Sequence, residues 1–152
     1  MGNICRSPTA EGVFRALASR LAPDLKVEAD SAGTHDYHVG DPPDVRAQRV
    51  AAAHGVNISG LRARLLTVQD FDHFDLVLVM DRQNRDAVLA IAPPQRHERV
   101  RLLLDYAPDQ RLREVPDPYY GERSDFELVF ELTYQAAQGL LRSLANAATE
   151  HS

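Results

Sequence analysis

The sequence predicts a parallel α/β fold, a sheet covered by helices on both faces. Three observations predict it. The run Leu76-Val77-Leu78-Val79-Met80 is apolar throughout, the pattern of a parallel strand buried on both sides. Asp81 follows as a cap for a helix from Arg82 to about Ala92, stopped by Pro93-Pro94. Val100 to Leu104 then reads as another strand, and strands alternating with helices imply a parallel sheet.

The other elements follow in chain order. Ser7 suits the N-cap of an opening helix and Pro8 its first position, with Val13, Phe14, Leu17 and Leu21 recurring at helical spacing. Lys26 to Ala32 alternates weakly and reads as a short strand. Asp41-Pro42 starts a second helix that ends at Gly55, a residue suited to the position just past a helix end. Thr67 to about His73 reads as a short helix capped by Thr67. Asp105 to Glu122 is a long loop rich in Pro, Asp and Tyr, and such loops tend to be functional. Ser124 and Glu127 form a capping box for a final helix running to about Ala147.

The chain has 152 residues, 44% hydrophobic and 26% charged, which suits one domain over residues 1–152. A net charge of −5 argues against nucleic-acid or anionic-membrane partners. No apolar run approaches the ~20 residues that span a bilayer, and residues 1–12 lack the apolar stretch of a signal peptide. Cys5 is the single cysteine, which excludes an internal disulfide and suits a reducing cytoplasm. Of six histidines, His35 and His38 lie near Asp36 and Asp41, but no helical His pair or Cys-His set accompanies them, so no metal is expected.

The chemistry concentrates near the start. In Gly2-Asn3-Ile4-Cys5-Arg6-Ser7-Pro8 a short loop runs into a helix N-terminus, where backbone N–H groups and the helix dipole favour an anion. Gly2 permits close backbone approach, and Arg6 offers a planar fork for two phosphate oxygens. The segment reads as an oxyanion cradle. An ordinary capped helix start with a solvated Arg explains the same residues.

The run MGNICRSPTAEG resembles the signature loop of the low-molecular-weight protein tyrosine phosphatases. In that family a Cys, five residues, then Arg and Ser form the phosphate loop; Arg6 and Ser7 match the Arg-Ser pair. Met1 then matches the first residue after the nucleophile, so the nucleophile and the strand before it are expected to be absent. The simplest explanation is a start codon assigned too far downstream. Cys5 matches the place of a second cysteine that, in many members, pairs with the nucleophile; it stands too close to Arg6 for a loop to wrap a phosphate between them.

Asp117-Pro118-Tyr119-Tyr120 resembles the family's general-acid loop. The reaction needs a carboxyl that is protonated as the phenolate leaves and then acts as base toward water. A carboxyl beside a phosphate dianion has its neutral form favoured, because like charges repel. The resemblance gives that role to Asp117, with a Pro-bracketed turn carrying a solvated Asp as the plain alternative. It implies pocket walls at Tyr119 and Tyr37, a Ser7 hydroxyl donating to the thiolate, and Asn3 and Ser31 bracing the loop. Further matches, among them Arg62-Ala63-Arg64, Asp70-Phe71 and Met80-Asp81 with Asn84, read as scaffold.

The implied fold is a three-layer sandwich with a four-stranded parallel sheet, its first strand missing from these residues. The implied function is hydrolysis of phosphotyrosine in a protein, or of a small aryl phosphate, through a phosphocysteine and without cofactor. For the chain as written, activity at background and an impaired fold are expected. Two rivals stand beside this reading. A non-catalytic phosphotyrosine-binding module fits the chain literally. An arsenate reductase on the same fold needs relay cysteines, and Cys5 is alone.

Overall fold

The computed structural model describes residues 3–150, with side chains through residue 148. The elements run α1 (Arg6–Leu21), α2 (Val45–Ala53), α3 (Asp70–His73), β1 (Val77–Val79), α4 (Arg82–Ile91), a 3₁₀ turn at Pro94–Arg99, β2 (Val100–Leu102), a second 3₁₀ turn at Leu103–Tyr106, and α5 (Arg123–Glu150). The strands pair in parallel, Val77 against Val100, Leu78 against Arg101 and Val79 against Leu102, with α4 as the crossover.

The apolar run behaves as its composition requires. Leu78 points to the side where α1 and α5 pack, against a core that includes Val13, Phe14, Leu17, Phe130 and Leu141. Val79, its neighbour, points the other way, into a cluster with Phe71, Val88, Ala92, Val100 and Leu102. Alternate side chains of one strand thus feed two cores, and the result is three layers. A third cluster joins Met80, Leu103, Leu104 and Val115 to the inner face of α5 at Val129, Leu132 and Ala136. Gly139 sits where the Tyr106 carbonyl meets α5, and a Cβ there would overlap that oxygen.

Several boundaries shift from the sequence reading, each for a local reason. α1 opens at Arg6 with Cys5 as its N-cap, not Ser7. The Cys5 carbonyl already closes the first turn, accepting from the Thr9 N–H at 3.3 Å and the Thr9 hydroxyl at 2.7 Å. α2 starts at Val45 rather than at Asp41-Pro42, because Pro43 disfavours helical backbone at the residue before it. Its cap is Asp44, whose carboxylate accepts the Arg46 N–H at 2.8 Å. Thr67 lies outside α3, donating its N–H and hydroxyl to the Asp70 carboxylate at 2.9 and 3.3 Å. α5 begins one residue before Ser124 and runs to Glu150, beyond Ala147. Its reciprocal cap is the Asp125 carboxylate accepting from the Glu122 N–H at 2.7 Å, while Glu127 pairs with His54 at 2.9 Å.

The sheet holds two strands among the described residues, not four. Lys26–Ala32 forms no ladder; beyond it a single parallel bridge joins Gly33 to Leu65. Of the backbone groups of Lys26–Asp30, only the Ala29 carbonyl has a partner among the described residues, the Arg15 guanidinium at 2.5 Å. A strand is defined by pairing, and without a neighbour a weakly alternating segment stays irregular. Between this segment and Leu76–Met80 lies a cavity of about 600 Å³, walled by Phe14, Ala137, Leu140 and Leu144 from α1 and α5.

Candidate active site

The loop entering α1 is held from three sides. Asn3 adopts φ of 63°, a left-handed conformation that asparagine tolerates better than most residues. It is buried, and its Nδ2 donates to the Ser31 carbonyl at 3.3 Å. The Ser31 hydroxyl in turn donates to Glu11 at 2.7 Å. Burial pushes the Glu11 carboxyl above its ordinary range despite the Ser31 bond and the nearby Arg15 charge. The Ile4 carbonyl accepts from the Asp44 N–H at 2.7 Å, tying the loop to the start of α2. Gly2 lies outside the described residues.

Arg6 is the buried hub, with 4% of its side chain exposed. Its Nη1 donates to Asp81 Oδ2 and to the Val115 carbonyl, each at 2.7 Å, and its Nη2 to Asn84 Oδ1 at 3.4 Å. The Asp81 carboxylate also accepts the Asn84 N–H at 2.7 Å, capping α4. Burial works against the Asp81 charge, yet the Arg6 and Asn84 hydrogen bonds hold its carboxyl below the usual range. The Arg6 Nε–H has no partner among the described residues.

Val115 is two residues before Asp117, so the Arg6 bond draws the acid-bearing segment against the loop. Pro118 is fully buried and anchors the turn. Asp117 is exposed, and its carboxylate accepts the Tyr119 N–H at 3.1 Å. Tyr119 meets Tyr120 edge-on at 4.9 Å and His38 at 6.4 Å between ring centroids.

Cys5 is buried, 6% exposed. Burial pushes its thiol up to about 12, and the charges of Asp44 and Asp117 add to the rise. A buried thiol of that basicity is almost wholly protonated at neutral pH.

The residues singled out by sequence therefore divide. Asn3, Ile4, Cys5, Arg6 and Ser7 form one continuous turn, and Asp117 and Tyr119 belong to the segment that Arg6 holds. Ser31 joins through Asn3. Ser7, inside the first turn of α1, has no hydroxyl partner among the described residues. Tyr37 stacks on His35 at 5.2 Å with 77% of its surface exposed; His38 is the ring near Tyr119. The residues missed as site members are Asp44, Arg46, His38 and the Asp81–Asn84 pair. Asp81, Asn84 and His38 stood out in the sequence without a site role, whereas Asp44 and Arg46 showed only as an Asp-x-Arg after Pro42-Pro43. The described residues contain no group of three or more His, Cys, Asp or Glu placed to hold a metal.

The model of the low molecular weight phosphotyrosine protein phosphatase family matches residues 1–150. A putative low molecular weight protein-tyrosine-phosphatase of Synechocystis, slr0328, is 44% identical over 95% of this chain and 92% of its own. The Bacillus subtilis phosphatase YfkJ is 39% identical over 95% of this chain and 91% of its own. Its crystal structure superposes with a TM-score of 0.90, covering 97% of this chain and 91% of that one. A protein tyrosine phosphatase of Entamoeba histolytica, with Hepes in its active site, superposes with a TM-score of 0.92 at 32% identity, covering 97% and 94%. Vibrio vulnificus Wzb, solved with benzylphosphonate, does so with a TM-score of 0.81 at 30% identity, covering 94% and 93%. From the loop through the acid segment to the sheet beneath them, the chain belongs to the low-molecular-weight protein tyrosine phosphatase family.

Proposed function

We propose that the site binds an aryl phosphate, phosphotyrosine in a protein or a small aryl phosphate, with its phosphoryl group in the turn that enters α1 at Asn3–Ser7. The observation that carries this reading is the buried Arg6–Val115 hydrogen bond, which couples the turn to the Asp117 segment. The Arg6 guanidinium charge and the N–H groups at the start of α1 supply positive potential where equatorial phosphate oxygens would sit. Asn3 and Ser31 brace that turn, and Tyr119 forms one wall of the pocket. Tyr37 reaches the pocket only if its loop turns inward from the stack with His35.

In the reaction of this family, a cysteine thiolate attacks phosphorus while the aryl oxygen departs with a proton from the acid, here Asp117. Water, deprotonated by the same carboxylate, then splits the phosphocysteine. Cys5 does not suit the attacking role. It adjoins Arg6 directly, it is buried, and a thiol with a pKa of about 12 leaves about one molecule in 10⁵ as thiolate at pH 7. Residues 1–152 therefore bind the substrate without turning it over at more than a background rate. A Ser7 hydroxyl that donates to a thiolate has no function in that state.

The test is p-nitrophenyl phosphate hydrolysis by the 152-residue chain alongside phenylphosphonate binding by calorimetry. Binding that disappears in Arg6→Ala, with turnover at background, is the expected result. Cysteine-dependent turnover, or a phosphorylated Cys5 trapped by acid quench and mass spectrometry, would overturn the assignment of Cys5. A chain that binds no phosphonate would overturn the binding function.

A further inference from the structure

Two loops make up the site, and something has to set their mutual placement. The bonds inside the acid loop shape it without aiming it: the Tyr119 N–H meets Asp117 at 3.1 Å and the Gly121 N–H meets the Pro118 carbonyl at 2.8 Å. The hold on its far half comes from α2. Arg46 Nη2 donates to the Tyr119 carbonyl at 2.8 Å and Nη1 to the Gly121 carbonyl at 3.4 Å. The same guanidinium grips Asp44 through Nε at 3.1 Å and Nη2 at 2.9 Å. It lies 4.6 Å from the Phe126 ring centroid and 5.7 Å from that of Tyr119. Asp44 completes the chain of contacts, its backbone N–H donating to the Ile4 carbonyl of the phosphate loop at 2.7 Å.

We propose that Arg46, oriented by Asp44, is the positioning residue of the acid loop, fixing Tyr119 and Asp117 over the phosphate loop. It touches neither the phosphoryl group nor the reacting atoms. Its job needs a planar fork, because two loop carbonyls and a bidentate carboxylate must be met by one flat group that also stacks on rings. A lysine ammonium carries the charge but cannot meet that set. The charges of Asp44, Arg46 and Asp117 all act on the Cys5 thiol, an independent sign that the three converge on one turn. Asp44 caps α2 through the backbone N–H of residue 46, so that cap survives any side chain placed there.

The proposal's ligand arm rests on the aryl phosphate reading above; its loop arm does not. In the full unliganded chain, hydrogen exchange at residues 119–121 is compared for the wild type, Arg46→Ala and Arg46→Lys. Phenylphosphonate and inorganic phosphate binding are measured on the same proteins. Both variants are expected to exchange about tenfold faster at 119–121, with unchanged protection in α2 and α5. Phenylphosphonate affinity should fall about tenfold while phosphate affinity holds within about twofold, since only the aryl ligand needs the Tyr119 wall. A merely structural role would weaken both ligands together. Unchanged exchange at 119–121, or equal losses for both ligands, overturns the positioning role. If the wild type binds neither ligand, the aryl phosphate reading fails and the exchange data alone decide the clamp.

Discussion

Arg6 and Arg46 do the same chemistry in two regions of one site, at opposite ends of the burial scale. Each holds a carboxylate at a helix N-terminus and a carbonyl of the segment between Val115 and Gly121. Arg6 is 4% exposed and Asp81 19%; Arg46 is 41% exposed and Asp44 13%. A buried charge with its partner removed is a large penalty, because water does not replace what was lost. An exposed guanidinium gives up its partner to solvent, and what is lost is geometry. The inner arginine should therefore govern whether the site exists, and the outer one where its acid loop points.

The largest effect should come from separating Arg6 from its carboxylate. Asp81→Ala is expected to destabilise the protein by about 3–5 kcal/mol, read from urea unfolding, since it strands a buried guanidinium. Replacing both partners with apolar residues, Arg6→Met with Asp81→Leu, should cost less than Asp81→Ala alone. A double variant less stable than the single one would break the comparison.

The acid limb of stability should carry the same signature. The Asp81 carboxyl is held low in the folded state, so its contribution is fully present above the unfolded value of about 3.9. It is lost as pH falls through the depressed folded value. Asp81→Asn should therefore flatten the fall in stability below pH 4, measured by denaturant unfolding at stepped pH. A curve of unchanged steepness would show that Asp81 does not titrate with folding.

The smallest effect is chemical and concerns the residue between the two arginines' loops. With its thiol pushed up to about 12, Cys5 should react with iodoacetamide at pH 8 at least 100-fold more slowly than an exposed cysteine, and at the exposed rate in denaturant. Fast alkylation of the folded chain would mean that the turn opens readily.

Much of this layout was legible in the sequence where one residue type has one use. The continuous apolar run became β1, and Asp81 capped α4 as its position beside that run required. Arg6 stood out in the sequence by its place in the Arg-Ser pair before Pro8, and in the structure it is the buried hub bonded to Asp81, Val115 and Asn84. Legibility failed where two residues competed for one job. Ser7 looked like a cap, but the Thr9–Cys5 contacts had already closed the turn. Ser124 and Glu127 had the spacing of a capping box, but Asp125 reached the Glu122 amide first. The Asp44–Arg46 clamp was invisible because its partners are backbone carbonyls 73 and 75 residues away, and carbonyls carry no sequence signal. Lys26–Ala32 failed for a different reason: alternation predicts a strand only where a second strand exists to pair with it.

The cavity beside β1 has two unlike lips. Lys26, Glu28 and Asp30 line one with charges of both signs, whereas Leu76-Val77-Leu78-Val79-Met80 offers no charge along the other. Charged side chains on an open edge keep neighbouring molecules from pairing with it, and an apolar edge lacks that guard. The edge of β1 that faces the cavity therefore has no charged side chain of its own to discourage a second strand from adding there, and any self-association of these residues should begin at that edge.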